Sequence, residues 1–308
     1  MPKIYFIIVT YNAMKWAEKC FTSLKLSSVP VQCIVVDNGS TDGTQKYITT
    51  NFPEIELIQS KENVGFGKAN NIGIEKAYWE DADFFYLMNQ DAWIYEDSVQ
   101  KLLEVYQSYP NKKEIGILSP MHIDGTETKL DIFFERYLAR NTQCNRIFSD
   151  AFENNLKKSY EIDFVNAAHW FLPKKTIEEI GGFNPYFFHY SEDYEYVQRI
   201  AFFKKKILIC PQSKVVHDGR QDFSKTDHIN ALRVQREQRY LNPAFDFNKS
   251  VLNHEFVPKI IKQMLMLKFS AASKTWQEYR YQCSRCNEII SSRAILKNTG
   301  ASFLNLSR

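Results

Sequence analysis

The sequence predicts an α/β fold, a doubly wound and mostly parallel sheet followed by a C-terminal helical region. In the first half of the chain, short apolar runs rich in β-branched residues alternate with segments whose apolar residues recur at helical spacing. Strands and helices that alternate in this way form parallel sheets through right-handed crossovers. Beyond about residue 225 only the helical spacing remains.

The first elements follow one another regularly. KIYFIIV (3–9) is an unbroken apolar run, as expected of a strand buried on both faces. Asn12 is predicted to cap the helix that follows. The next predicted elements are, in order, a helix at 13–27, a strand at 32–37, a helix at 42–51, a strand at 54–59, a helix at 67–80, a strand at 83–88 and a helix at 96–108.

The second half is less regular. From about 110 to 160 the pattern blurs, and we expect a mobile loop there. The remaining predicted elements are a strand at 164–173, helices at 174–180 and 191–203, strands at 207–211 and 215–217, and helices at 226–297 interrupted near LNPAF.

Composition excludes several classes of protein. The chain has 308 residues and a formal net charge of +3, too near neutral for a protein that binds nucleic acid by electrostatics alone. No apolar stretch reaches the roughly 18 residues of a membrane span, and we expect a cytoplasmic protein. Six cysteines suit a reducing compartment, and the lone CSRC (283–286) lacks the second ligand pair of a zinc site.

The loops after Val9, Val36 and Met88 should share one crevice, because ligands bind at the carboxyl ends of strands in doubly wound sheets. Asp37 ends the second strand and begins a turn rich in Asn, Gly and Ser, where its carboxylate could bind a base or a ribose. The turn is equally compatible with an ordinary strand–turn–helix connection capped by Asp42.

NVGFGKANNIG (63–73) resembles two phosphate-binding motifs and matches neither, because the positions that would need Gly, Ser or Thr hold other residues. What remains is a glycine loop that opens a helix, with Lys68, Asn70 and Asn71 able to face an anion. A flexible, solvated loop is the alternative.

Three further positions suggest chemistry. Asp91, after a buried strand, could ligate a divalent cation that also binds a diphosphate, or could be a turn residue. Glu192 and Asp193 begin a helix after an aromatic segment; one could deprotonate a sugar hydroxyl, or both could complement the helix dipole. His217 ends VVH and is either a core histidine or a metal ligand.

Together, six motifs in order resemble those of the inverting glycosyltransferases of family 2, which have the GT-A fold. They are VTYN (9–12), VVDNGSTDGT (35–44), NVGFGKANNIG (63–73), LMNQDA (87–92), GGFNPYFFHYSEDYEYVQR (181–199) and VVHDG (215–219). Their spacing covers about residues 3–220. The forms NVGFGKANN and Asn-x-Asp resemble the rhamnosyltransferase-like branch.

The resemblance implies a GT-A catalytic domain at 1–225, with a donor half at about 1–120 and an acceptor half at about 121–225, and a helical region at 226–308. Asp193 would be the general base, with Glu192 beside it. Asp91 would hold Mn²⁺ or Mg²⁺ with His217 as a second ligand. The donor-binding residues that it implies are Thr10, Tyr11, Asn12, Asp37, Asn38, Asn63, Gly65, Lys68, Asn70, Asn89 and Asp91.

The sequence departs from the family pattern at three positions. Asn89 and Ala92 replace the first and last acids of the commoner Asp-x-Asp-Asp motif, which weakens the expected metal affinity. Asn70 stands where many relatives have Arg near the diphosphate, and Lys68 would partly compensate.

The implied reaction is a single displacement with inversion, from dTDP-rhamnose or a UDP-hexose to a saccharide hydroxyl, in bacterial surface-polysaccharide synthesis. The implied acceptor is carried on a lipid. One alternative is a nucleotidyltransferase, which would need a basic, glycine-rich N-terminal loop. The other is a non-catalytic saccharide-binding module, which would not need Asp37, Asp91 and Asp193 together.

The C-terminal segment is basic. VPKIIKQMLMLKF (257–269) has apolar residues at helical spacing with lysines on the other face, as in helices that lie in a membrane interface. This pattern is compatible with peripheral contact with the inner face of the cell membrane. The alternatives are packing on the catalytic domain and pairing in a homodimer.

Overall fold

The computed structural model describes residues 1–140, 146–219 and 228–307. The chain divides into two compact units, Met1–Thr226 with Thr299–Arg308, and Asp227–Asn298. Cys144 and the predicted domain boundary at 225/226 lie outside the described residues.

The first unit is built on one mixed sheet. Its strands are β1 (Ile4–Thr10), β2 (Gln32–Asp37), β3 (Glu56–Gln59), β4 (Phe84–Asn89), β5 (Ala92–Ile94), β6 (Ile115–Asp124), β7 (Tyr160–Ile162), β8 (His169–Pro173) and β9 (Lys206–His217). They lie in the order β3-β2-β1-β4-β8-β6-β9-β5, with β7 beside β9. The β3-β2-β1-β4 block is parallel, as are β6 and β9, whereas β5, β7 and β8 are antiparallel to their partners. The predicted mostly parallel sheet is confirmed.

Helices cover both faces of this sheet. Those of the first unit are α1 (Ala17–Lys25), α2 (Thr44–Asn51), α3 (Phe66–Trp79), α4 (Ser98–Ser108), α5 (Ile132–Arg140), α6 (Ile147–Phe152), α7 (Lys174–Ile180) and α8 (Glu192–Phe202), with a 3₁₀ turn at Lys112–Glu114. Alternate β1 residues enter two cores: Ile7 belongs to a core that includes residues of α3, α5, α7 and α8, and Phe6 belongs to one that includes residues of α1 and α4. This arrangement is doubly wound.

The segment that was predicted as a mobile loop holds a long strand of the sheet. β6 pairs with both β8 and β9, and its register with β9 shifts between Pro120 and Met121. A proline inside a strand normally indicates an edge or a bulge, so the pattern hid β6. The same bulge lets residues 206–217 form one strand, where the sequence predicted two.

Two other local predictions are wrong. Asn12 has a positive φ of 54° and does not cap α1, which begins at Ala17 after a turn. The strand predicted at 164–173 begins only at His169. Both errors concern loop residues, whose conformation is set by hydrogen bonds to distant segments.

The C-terminal tail belongs to the first unit, whereas the sequence predicted one helical region from 226 to 308. Ser302 O accepts the backbone N–H of Gly182 at 2.8 Å. Leu304 and Leu306 pack on the core that contains Ile7. A side chain at Gly181 would collide with Ser302, with 2.1 Å between an added Cβ and the Ser302 carbonyl oxygen. The tail therefore closes over the turn that precedes α8.

The second unit consists of three helices, α9 (His228–Leu241), α10 (Lys249–Leu265) and α11 (Phe269–Leu296). The guanidinium of Arg293 donates to the carbonyls of Tyr240, Asn242 and Phe245 and so stabilises the predicted break near LNPAF. Across the described helices of both units, none combines the length and apolar character that crossing a bilayer would need.

Candidate active site

The register of the parallel strands brings the predicted crevice residues to one edge of the sheet. Thr10 is paired with Asp37 across β1 and β2, and Val9 is paired with Asn89 across β1 and β4. A cavity of 440 Å³ lies elsewhere, lined by Tyr5 and Gln32 at the opposite ends of these strands. Because doubly wound sheets bind ligands at the carboxyl ends of strands, we place the site at the Thr10 edge.

Asp37 organises the loop after β2. Its carboxylate is fully buried and accepts hydrogen bonds from Thr10 Oγ1 at 2.8 Å, from Gln45 Nε2 at 2.7 Å, and from the backbone N–H and hydroxyl of Ser40. A carboxylate offers about four acceptor positions, and all are used within the protein. These bonds shape the loop, and the predicted bond of Asp37 to a base or ribose stays a prediction.

Hydrogen bonds also fix the loop after β1. The backbone N–H of Tyr11 donates to Gln90 Oε1 at 2.7 Å, and Gln90 Nε2 donates back to the Tyr11 carbonyl at 3.2 Å. Asn12 Oδ1 accepts the backbone N–H of Thr41 at 2.8 Å. The Tyr11 side chain is about half exposed (49%). Of the residues at this edge, Tyr11 thus presents a free aromatic face on which a base could stack.

Asn38 and Asn63 build the glycine loop. Asn38 donates to Asn63 Oδ1 at 2.8 Å and accepts the backbone N–H of Val64 at 2.8 Å. Gly65 has a φ of 89°, and a Cβ there would lie 2.3 Å from the Phe188 carbonyl oxygen. That carbonyl accepts the N–H of Phe66 at 3.1 Å. The loop therefore requires glycine, and it joins the predicted donor side to the aromatic segment before α8.

One prediction for this loop needs correction. Asn70 is 1% exposed, and its amide donates to the Phe66 carbonyl at 3.0 Å, so it does not face an anion. Asn71 is also buried and binds the backbone N–H and carbonyl of Phe183 at 2.7 and 2.8 Å. Lys68 is exposed and remains the cation of this loop that a diphosphate could reach. Whether a side chain of α3 faces the core or the solvent depends on its position around the helix, which the motif alone does not show.

Asp91 and His217 meet beside the end of β4. β5 runs antiparallel to β9 with Ala92 opposite His217, and the backbone N–H of Asp218 donates to the Asp91 carbonyl at 2.7 Å. Asp91 Oδ1 therefore lies 3.7 Å from His217 Nε2. A side chain at Gly219 would strike the imidazole, with 2.5 Å between an added Cβ and His217 Cε1.

Asp131, which the sequence analysis did not single out, holds the other side of the imidazole. It is fully buried, its Oδ1 accepts the N–H groups of Phe133 and Phe134 at the start of α5, and its Oδ2 lies 3.2 Å from His217 Nδ1. Burial lowers the pKa of His217, but the hydrogen bond to Asp131 and the neighbouring aspartate charges outweigh it, so the net pKa is raised. When the imidazole is neutral, a proton on Nδ1 toward Asp131 leaves the lone pair of Nε2 free.

These groups fit a divalent cation. Two ligand atoms that share one such ion at about 2.0–2.2 Å lie roughly 3–4 Å apart, as Asp91 Oδ1 and His217 Nε2 do. Asn89 Oδ1 is buried and has no hydrogen-bond partner, so this amide oxygen is available as a ligand. The described residues contain no group of three or more His, Cys, Asp or Glu suited to a metal, and the two cysteines of CSRC (283–286) belong to no such group either. Diphosphate oxygens or waters would have to complete the coordination, as is usual for Mg²⁺.

Glu192 and Asp193 begin α8 after a strained turn. Tyr190 and Ser191 both have positive φ, 64° and 83°, an arrangement that costs energy and is found most often at functional sites. Burial raises the pKa of Asp193 to about 6, although backbone N–H groups partly oppose it. Burial and the charge of Asp193 raise the pKa of Glu192 to about 8. Of the two carboxyls, Glu192 therefore holds its proton more tightly than Asp193 does.

The α5 residue Tyr137 lies near both Asp131 and Asp193. Tyr137 packs edge-on against Phe164 at 4.8 Å, and Phe164 stacks on Tyr194 at 3.9 Å. Burial and the charges of Tyr194, Asp193 and Asp131 raise the pKa of Tyr137, so this hydroxyl lies within the field of both aspartates. A cavity of 230 Å³ opens here, lined by Tyr137, Arg140, Asp163, Phe164, Tyr194, Val197 and Gln198. Phe188 and Tyr190 are 61% and 74% exposed, whereas Phe183 and Phe187 of the same aromatic segment are core residues.

The ends of β1, β2 and β4 meet at one edge of a mostly parallel sheet, and two carboxyls begin α8, as expected of a glycosyltransferase. Residues 5–181 match the model of Glycosyl transferase family 2. The chain belongs to this family.

Its relatives include several rhamnosyltransferases. The chain is 23% identical over 259 residues to the N-acetylglucosaminyl-diphospho-decaprenol L-rhamnosyltransferase of Mycobacterium tuberculosis, covering 76% of this chain and 82% of the relative. It is 27% identical to the dTDP-rhamnosyl transferase of Shigella flexneri, with 70% and 68% covered. The S. aureus TarS structure in complex with UDP superposes with a TM-score of 0.53 at 15% identity, covering 80% of this chain and 67% of TarS residues 1–349. These likenesses confirm a rhamnosyltransferase-like member of the family with a shared fold.

Proposed function

We propose that the protein transfers a sugar, with inversion, from a nucleoside-diphosphate sugar to a saccharide hydroxyl, and that Asp193 is the general base. The observation that carries this proposal is the pair of unlike carboxyls at the start of α8. Environments that separate two pKa values assign the roles of acid and base. Asp193, with the lower pKa of about 6, can accept the acceptor proton near neutral pH. Protonated Glu192 can donate a hydrogen bond to the acceptor.

The donor side is supported by the strand ends. Tyr11 offers a face for the base, the loops fixed by Asp37 and Asn38 offer backbone groups for the ribose, and Lys68 offers a charge for the diphosphate. Asn89, Asp91 and His217 would hold Mn²⁺ or Mg²⁺. The bound ion would supply positive charge to the leaving diphosphate. Asp131 keeps the His217 Nε2 lone pair directed away from its own carboxylate.

The acceptor side is supported by the cavity that Tyr194, the residue after Asp193, helps to line. Arg140, Asp163 and Gln198 supply polar groups there, and Gln198 Oε1 is buried without a partner. A sugar hydroxyl is suited to donate to Gln198 Oε1. The relatives' names favour a rhamnosyl donor, so we propose dTDP-rhamnose first and a UDP-hexose second. The acceptor would be a lipid-carrier-linked saccharide of a surface polysaccharide, reached at the inner face of the cell membrane.

A donor panel tests this function. The protein is incubated with dTDP-rhamnose and several UDP-hexoses, with and without Mn²⁺, and release of free sugar is followed. Slow hydrolysis of one donor is expected, since water can replace the acceptor. Release of sugar from none of the donors would contradict the proposed function.

A further inference from the structure

The connection between α10 and α11 forms an exposed apolar tip. α10 ends at Leu265, the chain turns at Leu267 with a φ of 57°, and α11 begins at Phe269. The α10–α11 tip consists of Ile261, Met264, Leu265, Met266, Leu267 and Phe269. Leu265 is 80% exposed and Leu267 is 75% exposed. Single exposed apolar residues are ordinary, but a contiguous group of this kind marks an interaction surface.

Packing within the helical unit does not involve the tip. The buried residues of α10 are Leu252 and Phe256, and those of α11 begin at Ala272. The tip lies between these positions, beyond the packed part of the helix pair. The sequence predicted a single amphipathic helix at 257–269 lying flat on a membrane; because the helix stops at Leu265, the apolar side chains are instead concentrated at its end.

The charge around the tip has one sign. Lys259, Lys262, Lys268 and Lys274 are exposed, and the sequence holds no acid between residues 256 and 277. Within the described chain these lysines form no ion pair. The nearest acids on the two helices are already engaged: Glu255 pairs with Arg236 and Arg239, and Glu278 pairs with Arg233 and Arg236.

We propose that the α10–α11 tip inserts into the surface of an anionic lipid bilayer, with the four lysines on the headgroups. Apolar residues that enter the acyl boundary and lysines that attract anionic headgroups are the two components of peripheral membrane binding. Trp276, 48% exposed on α11, is an amphipathic side chain suited to that interface. A two-fold dimer through the tip is disfavoured, because an isologous contact would place lysines against lysines.

This proposal rests on the proposed function, because it names the surface through which the enzyme would reach a lipid-carried acceptor. Its test uses no sugar donor, so the result does not depend on whether the protein transfers a sugar. The full chain is sedimented with vesicles of phosphatidylcholine alone or with about one third phosphatidylglycerol. Binding to the anionic vesicles alone is expected at low salt, and raising salt from about 50 to about 500 mM should release the protein, because screening shortens the reach of the lysines.

Two variants distinguish the contribution of the apolar side chains from that of the lysines. Leu265→Gln with Leu267→Gln should weaken vesicle binding at least about tenfold, and Lys259→Glu with Lys262→Glu and Lys268→Glu at least about a hundredfold. The matched controls are Phe152→Gln, at an apolar side chain that is 84% exposed, and Lys46→Glu with Lys112→Glu and Lys113→Glu; both should bind as the wild type does. All these side chains are exposed, so melting temperatures should stay unchanged.

Absence of vesicle binding at low salt would overturn the proposal. So would binding that the tip and control variants weaken equally. Sedimentation velocity supplies a third arm: a dimer that Leu265→Gln and Leu267→Gln dissolve would show that a second copy occupies the tip.

Discussion

Asp131 Oδ2 lies 3.2 Å from His217 Nδ1, while His217 Nε2 lies 3.7 Å from Asp91 Oδ1. A carboxylate that holds one nitrogen of an imidazole fixes the tautomer and presents the other nitrogen as a ligand. Asp131 is itself held by two N–H groups at the start of α5. The His217 imidazole is therefore orientated by a helix start that no motif in the sequence identifies.

Asp131→Asn should weaken Mn²⁺ binding about 10- to 100-fold in the presence of UDP or dTDP. The amide oxygen can still accept the two N–H groups of α5, but the amide nitrogen donates toward Nδ1 and favours the tautomer with a proton on Nε2. Titration calorimetry measures the affinity. Asp124→Asn, at a buried aspartate that instead bonds Thr126, is the control; equal losses in both variants would contradict the positioning role.

Asp193→Asn should lower turnover at least about a hundredfold while donor affinity changes only a few-fold, because a base acts on the acceptor. Glu192→Gln should have the smaller effect, since the amide resembles a protonated carboxyl. Rates and donor affinities measured together distinguish the roles. If Glu192→Gln proved the more damaging change, the roles of the two residues would be reversed.

Stability should depend on pH through Glu192. Its pKa is raised from 4.5 to about 8 by burial and the charge of Asp193. The folded state therefore holds a proton that the unfolded state has released, so this group costs stability progressively as pH rises from about 4.5 to about 8. Glu192→Gln should raise the melting temperature more at pH 9 than at pH 4. A pH-independent difference between variant and wild type would contradict the raised pKa.

Asn71 and Asn70 offer a matched pair in one helix. Asn71→Ala leaves buried backbone groups of Phe183 unpaired and removes the contact with the Phe303 carbonyl of the tail, so we expect a loss of about 2–4 kcal/mol in the free energy of unfolding. Asn70→Ala removes one bond within its own helix and should cost less than about 1 kcal/mol. Denaturant unfolding gives both values. A loss of donor affinity in Asn70→Ala would restore the role that the family pattern implied.

The sequence was sufficient to predict which polar residues lie together at the carboxyl ends of the strands. Thr10, Asp37, Asn89 and Asp91 follow buried parallel strands, and parallel strands expose their carboxyl ends at one edge. It was insufficient where contacts between distant segments determine the local structure. Because of Pro120, the sequence pattern did not predict β6, and the position of Asp131 after that strand was missed as well. Motif spacing also could not show that neighbouring protein groups donate hydrogen bonds to both Asp37 oxygens. Nor could it show that Asn71 is the asparagine of NVGFGKANN that bonds the C-terminal tail.

The measurement that tests the account most directly is the configuration of the released sugar. The wild type is incubated with the donor that it hydrolyses, and the anomer formed first is identified by NMR before mutarotation. The account predicts the anomer opposite to that of the donor, formed at least about a hundredfold more slowly by Asp193→Asn. Release of the retained anomer, or an undiminished rate in Asp193→Asn, would contradict a single displacement with Asp193 as its base.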